Sequence, residues 1–231
     1  MMMTQATYTV KDAADYLGLT EKETSKLVEK GILDGTRIRG EWIIPTESIV
    51  EYLEQGIHKN ENRMEEFMRR QNAQSVSLLD HLPEEMILVP FNVRTRPAVF
   101  RDLTRLAFDS GRLWDAAKMA ELLEKREETS PTVLGNGVAL LHPLSPQPSL
   151  LGEDFVMLGI TPSGIPFGGT NKTDIFFAIC STDFDIHLAI MQRIAQLLKY
   201  PDFLEQIREA SSSKEVRNII KSIEKQITPD I

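Results

Sequence analysis

The chain holds a single cysteine, Cys180, among 231 residues. An internal disulfide is therefore excluded, and a free thiol fits a reducing compartment. Cys180 ends the apolar run Ile175-Phe176-Phe177-Ala178-Ile179-Cys180, so it reads as a buried strand residue and not as a reactive one. Histidine is scarce too. His58, His81, His142 and His187 lack close ligand spacing and cysteine partners, which argues against a zinc site; neither a metal nor a cofactor is expected. No apolar run is long enough to cross a bilayer. Met1-Met2-Met3-Thr4-Gln5 has neither the basic start nor the apolar stretch of a signal peptide. The expectation is a cytoplasmic protein without membrane insertion. Positive charge is in deficit, with 26 Lys and Arg against 34 Asp and Glu. That balance argues against broad nucleic-acid binding but leaves room for a local basic surface. Gly164–Gly169 lacks the lysine of a phosphate-binding loop, so its glycines read as turns.

What is present is enough apolar sequence for real cores, at 42% hydrophobic and 26% charged residues. The chain divides into a small domain over 1–56, a polar linker over 57–75 and a larger domain over 76–231. In the first, Val10, Ala13, Ala14 and Leu17 share a helical face that Gly18 ends. Thr20 and Glu23 form a capping box for a second helix carrying Leu27 and Val28, ended by Gly31. Residues Thr36 to Pro45 alternate about Gly40-Glu41 as a small hairpin. Thr46 then opens a third helix with Ile49, Val50 and Leu53. Two helices, a tight turn and a wing suggest a winged helix-turn-helix. The linker contains a short helix whose Met64, Phe67 and Met68 either dock on a neighbour, pair with a second chain as a homodimer, or form a loosely packed connector.

The larger domain opens with a helix marked by Thr95 and Pro97, with Val99, Phe100, Leu103, Leu106 and Ala107 on its apolar face and Gly111 at its end. A second helix covers about Asp115 to Lys125. Strands follow at Gly137–Leu141, Asp154–Ile160 and Thr173–Ser181, then helices near 187–199, 201–210 and 213–225. This order predicts an α/β domain: a mixed β-sheet flanked by helices.

Two imidazoles and a guanidinium stand out, in His142 at the end of an apolar run, His187 at a helix start, and Arg126 ahead of both. Such a set can hold a phosphoryl group without a metal. A neutral imidazole is a good nucleophile near pH 7, because its ordinary pKa is about 6.5. An arginine gives equatorial phosphoryl oxygens a forked, permanent charge. His187 at a helix start gains from the backbone amides there. Spacing alone does not rank the two histidines. Since His187, Met191, Ile194, Ala195 and Leu198 share one helical face, His187 also reads as a hydrogen-bonded core residue. Taken singly, His142 also reads as a structural strand-end residue and Arg126 as a solvated helix-end charge.

The order of motifs resembles the enzyme IIA domains of the bacterial sugar phosphotransferase system, in their mannitol/fructose type and nitrogen-regulatory branch. The residues that carry it are Arg126-Glu127, Ser130 and Thr132, Gly135-Asn136-Gly137, Val138 through His142, Phe155–Ile160, Asp174 through Ala178, and His187-Leu188. The resemblance implies the mannitol-type enzyme IIA fold. It implies His142 as phosphoryl acceptor from an HPr-like phosphocarrier protein, with His187 and Arg126 stabilising the phosphoryl group and Ser130 and Thr132 supporting the site. Leu141 and Pro143 stand where the family has proline and glycine; Pro143 brings bulk and no N–H to the residue after His142. The first domain resembles excisionase-like, MerR-related helix-turn-helix domains through Tyr8-Thr9-Val10, Ala13 to Gly18, and Arg39 to Pro45. DNA contacts are expected from Lys22, Ser25 and Lys26, and from Arg37 and Arg39 on the wing. Residues 1–57 hold six Lys and Arg against ten Asp and Glu, so a protein target is the alternative to DNA. The combination implies a phosphorylation-responsive regulator. A phosphocarrier for a sugar permease, and a binding protein with an inactive IIA domain, are the other readings.

Overall fold

The computed structural model describes residues 7–58, 66–67, 69, 76–168 and 171–227. The chain forms two compact units, Met1–Gln74 and Ser75–Ile231.

The first unit runs β1 (Thr7–Thr9), α1 (Val10–Leu17), α2 (Glu21–Glu29), β2 (Thr36–Ile38), β3 (Glu41–Pro45) and α3 (Thr46–His58). Thr9 and Asp12 close a capping box on α1, and Thr20 and Glu23 close one on α2; such caps contribute about 1 kcal/mol each. The hydroxyl and amide of Thr20 hold the Glu23 carboxyl below the usual carboxylate range. Gly18 ends α1 in the left-handed region, at φ 67°, where glycine carries no Cβ penalty. Ala13, Ala14, Leu17, Val28, Leu33 and Ile44 are buried. β3 lies between β1 and β2, antiparallel to both. Arg39 and Gly40, both at positive φ, make the two-residue turn of the wing, as the twist of a tight hairpin requires. The sequence placed no strand at Thr7–Thr9; three residues are too short to show a period, and only pairing with β3 defines them. Of the expected linker helix, Glu66, Phe67 and Arg69 are helical, and the ring of Phe67 lies 5.0 Å from that of Tyr16. Met64 and Met68 lie outside the described residues.

The second unit runs α4 (Leu78–His81), a 3-10 turn (Glu84–Met86), β4 (Ile87–Leu88), α5 (Arg96–Asp109), α6 (Ala116–Thr129), β5 (Val138–Leu141), β6 (Phe155–Pro166), β7 (Lys172–Cys180), α7 (Phe184–Lys199), α8 (Phe203–Glu209) and α9 (Ser213–Ile227). The sheet order is β4-β6-β7-β5. β6 and β7 are antiparallel; β4 pairs with β6, and β5 with β7, in parallel. The sheet is therefore mixed, as the sequence implied. Val138 to Leu141 and Ile175 to Cys180 are fully or almost fully buried, which matches their unbroken apolar runs.

Two boundaries differ from the sequence expectation. α6 continues to Thr129, one turn beyond Lys125. Its last turn, Arg126-Glu127-Glu128-Thr129, is polar and so carries no hydrophobic period, yet Arg126 and Glu127 point inward. β6 continues past Ile160 to Pro166, into the Gly164–Gly169 segment whose glycines read as turns. The strand carries an irregularity between Ile160 and Ile165, then pairs again at Ile165 with Thr173; such bulges leave no alternating pattern.

Cys180 is fully buried, and burial pushes its thiol pKa up to about 12. A disulfide reagent at pH 8 should modify it at least roughly a hundredfold more slowly in the folded protein than in denaturant, since the thiolate is the reacting form. Equal rates in the two states would contradict the packing of β7.

Candidate functional site

Placement of the site begins with β5. The N–H of Leu134 donates to the carbonyl of Val138 at 2.7 Å, closing a tight turn over Gly135-Asn136-Gly137. Gly137 sits at φ 88°. A Cβ there would come within 2.6 Å of Asp174 Oδ1 and 2.9 Å of Arg208 Nη2, so the turn needs glycine twice over. Its carbonyl accepts from Asp174 and Ile175 N–H groups at 2.9 and 3.1 Å. Arg208 on α8 donates from Nε and Nη2 to the two Asp174 oxygens at 2.7 and 3.0 Å, and from Nη2 to the Asn136 carbonyl at 2.7 Å. This clasp fixes where β5 starts, and hence where it delivers the residue after its last.

That residue is His142. Its Nδ1 lies 2.8 Å from the Leu140 carbonyl oxygen. A carbonyl only accepts, so Nδ1 carries the proton, and in the neutral ring the lone pair resides on Nε2. His187 lies in the first turn of α7, whose N-cap Asp183 accepts from the Ile186 N–H at 2.9 Å. The His142 and His187 rings are 5.1 Å apart between centroids, inclined at 56°. The fold thus brings together two histidines 45 positions apart in sequence.

Arg126 and Glu127 occupy the last turn of α6. Arg126 Nη1 donates to the Ser130 carbonyl at 2.6 Å, which orients the guanidinium at the helix end. Glu127 is buried. Its carboxylate accepts from the Thr132 N–H at 3.0 and 3.1 Å and from the Thr132 hydroxyl. The Thr132 carbonyl in turn accepts from the Leu140 N–H at 3.2 Å. One chain of bonds therefore runs from the end of α6 to the residue that holds the His142 ring. Burial raises the Glu127 pKa above the usual carboxylate range; the Thr132 hydroxyl and amide, then the charges of Arg96 and His142, pull against it. The Thr132 hydroxyl, expected to support a phosphate, is spent on Glu127. Ser130 contributes its carbonyl to Arg126. Sequence reasoning gave Glu127 no role of its own. Its only signal was its place in the Arg-Glu pair. The Asp174–Arg208 clasp spans 34 positions and left no local signal.

In the first unit, Lys22 and Lys26 are exposed on α2 and Ser25 is half-buried beside them, with Thr24 and Val28 turned inward. On the wing, the Arg37 guanidinium lies 5.5 Å from the Trp42 ring centroid, and Arg39 stands exposed in the turn.

A helix-covered mixed sheet with paired histidines after β5 and on α7, in a chain that also carries a small helix-turn-helix unit, defines an enzyme IIA fold of the mannitol type joined to a helix-turn-helix domain. Residues 80–223 match the family "Phosphoenolpyruvate-dependent sugar phosphotransferase system, EIIA 2", and residues 7–56 match "Helix-turn-helix domain". The chain belongs to that EIIA 2 family. It is similar to the mannitol-specific phosphotransferase enzyme IIA component of Bacillus subtilis, 26% identical over 99 residues, covering 43% of this chain and 68% of that protein. It is also similar to the multiphosphoryl transfer protein of Vibrio cholerae, 27% identical over 111 residues, covering 48% of this chain but only 27% of that longer protein. Among solved structures, the nitrogen regulatory protein IIA-Ntr of Neisseria meningitidis shares the fold with a TM-score of 0.55 and 22% identity, covering 61% of this chain and 97% of that one. Among the described residues, no helix is long and apolar enough to cross a membrane.

The His142–Leu140 bond makes a spectroscopic prediction. In ¹⁵N spectra above the titration of the ring, His142 should appear as the Nδ1–H tautomer, opposite to the form usual in free histidine. A dominant Nε2–H signal would contradict the geometry.

Proposed function

We propose that this protein is a regulatory IIA component that accepts a phosphoryl group on His142 from an HPr-like phosphocarrier and links that event to binding by its helix-turn-helix unit. The observation that carries the reading is the Nδ1–H bond of His142 to the Leu140 carbonyl, which commits Nε2 as the nucleophile. In an in-line transfer, the Nε2 lone pair forms the new N–P bond as the donor's N–P bond breaks, and the donor ring leaves with the bonding pair. His142 keeps its Nδ1 proton, so its ring becomes positive as the phosphoryl group arrives. The Leu140 carbonyl faces that developing charge. Transfer of this kind needs mainly positioning and charge neutralisation, which suits His187 beside the acceptor ring and a guanidinium at the end of α6. The relatives named for mannitol and multiphosphoryl transfer support the same chemistry.

Incubation with the host phosphocarrier, enzyme I and phosphoenolpyruvate should add one acid-labile phosphoryl group, read by intact mass. His142→Ala should abolish it. Arg126→Lys should slow it by roughly tenfold or more, because lysine lacks the fork. Labelling of His142→Ala at the wild-type rate would reject the assignment, and no labelling of wild type under conditions that label a control IIA protein would favour a binding protein with an inactive site. Onward passage of the label to a sugar would identify a permease phosphocarrier instead.

The helix-turn-helix unit favours DNA as the second ligand. Although its charge is acidic overall, Lys22 and Lys26 on α2 and Lys30 at its C-cap recur every four residues and are exposed. Arg37, steadied on Trp42, and Arg39 extend positive charge on the wing. Phosphate contacts release counterions, so binding should weaken steeply with salt. A mobility-shift or anisotropy assay on host DNA at low and moderate salt should show salt-sensitive binding that Lys26→Ala weakens. A protein that ignores DNA in both phosphorylation states would turn the reading toward a protein target.

A further inference from the structure

The helix pair α5–α6 sets Arg96 beside the candidate site. Six residues, 110–115, join the two helices, and so short a turn returns the chain antiparallel. The first turn of α5 therefore lies level with the last turn of α6. Arg96 opens α5, and Glu127 is on the last turn of α6. A second path leads to the same place. The Arg96 guanidinium lies over the rings of Phe100 and Phe167, at 5.9 and 5.5 Å from their centroids. Phe167 is 4.9 Å from Phe176, the register partner of Ala139 in β5. Ala139 bridges to Val133, next to the Thr132 that Glu127 holds.

Nε and Nη2 of Arg96 are buried and have no hydrogen-bond partner among the described residues. These two atoms form one edge of the guanidinium, the same edge with which Arg208 forks Asp174. Arg96 is half-buried, so this inward edge of a permanently charged group favours a counter-charge nearby, even where none is in direct contact. Glu127, on the last turn of the neighbouring helix, is within electrostatic reach of Arg96, whose charge favours the ionised carboxyl against burial and adds to the pull of the Thr132 bonds. The other group that acts on Glu127 from a neighbouring element is His142, after β5. On its own helix, Arg126 and Glu128 flank it.

We propose that Arg96 is a positioning residue: its guanidinium, level with the last turn of α6, favours the ionised form of the buried Glu127, and ionised Glu127 holds Thr132 and, through it, the strand that presents His142. A carboxylate accepts from the Thr132 amide and hydroxyl together; a protonated carboxyl gives up part of that capacity. The demand is greatest when His142 carries a phosphoryl group, because negative charge is then added to the ring that acts on Glu127 and favours protonation of the carboxyl. That last consequence rests on His142 being the acceptor; the hold of Arg96 on Glu127 does not.

The test uses the full chain with ¹³C-labelled glutamate, Glu127 being assigned from the signal lost in Glu127→Gln. In wild type the Glu127 carboxyl titrates with one midpoint. Arg96→Gln should raise that midpoint by roughly half a pH unit or more, and Arg96→Lys should restore most of the wild-type value. Arg96→Met, which keeps an apolar stem over the two rings, replaces Arg96→Gln if the latter fails to fold. The Thr132 amide signal should move with the same midpoint. An unchanged Glu127 midpoint in a folded, charge-less variant overturns the proposal. So does Arg96→Lys titrating no nearer to wild type than Arg96→Gln, which would assign Arg96 to packing alone. In the reconstituted relay, Arg96→Gln should lose labelling rate first at the acid end of the pH profile; a profile parallel to wild type counts against the proposal. A wild type that takes no label refutes the acceptor reading, while the carboxyl titration still decides the role of Arg96.

Discussion

The parallel pairing of β5 with β7 is the constraint on which the site depends. β5 is only four residues long, and all four are buried, so it has no solvent-facing side to tolerate a slip. A one-residue change of register would turn the side chains of Val138 to Leu141 over and carry His142 to the opposite face. The register is fixed at the entrance. Gly137 gives its carbonyl to two amides of β7, and Arg208 ties Asn136 to Asp174. At the exit Leu140 is used twice, its N–H donating to Thr132 and its carbonyl accepting from His142 Nδ1. The backbone that completes the sheet is thus the backbone that selects the tautomer of the ring.

Around this strand lie groups that ordinary packing would not favour. Glu127 is buried although burial disfavours its charge, and replacing such a group by an apolar one is often neutral or stabilising. Its presence near His142 fits a requirement for placement more than for stability. The residue after His142 is a proline, so one backbone donor is missing at the approach to the ring, and Leu144 beyond it is exposed. In the proposed transfer, stabilisation of an incoming charge would fall to Arg126 and to the helix turn that carries His187.

Much of this was readable in the sequence where the pattern was local. Thr20 and Glu23, and Gly18, are short-range signals with direct physical causes, and each appears where it was expected, while the turn of the wing falls on Arg39-Gly40, one residue before the expected Gly40-Glu41. The buried runs of β5 and β7 were equally plain. The ordered motifs from Arg126 to His187 pointed to the IIA fold. What escaped was whatever depends on a distant partner or on polar residues turned inward. Arg126, taken singly, looked like a solvated helix-end charge, and Glu127 beside it gave no signal of its own. β1 and β4 are too short to show a period. Arg208 is recognisable as a structural residue only once Asp174 is beside it, and Arg96 only once the helix pair has closed.

The assignment of two cooperating imidazoles to different roles is the centre of the account, and the nitrogen that bears phosphorus tests it most directly. After transfer from the phosphocarrier, long-range ¹H–¹⁵N correlation of the imidazole rings, with ³¹P coupling, identifies both the residue and the atom. The account predicts phosphorus on Nε2 of His142, with Nδ1 still protonated against the Leu140 carbonyl and the His187 ring unmodified. Phosphorus on Nδ1 of His142, or on either nitrogen of His187, would contradict it.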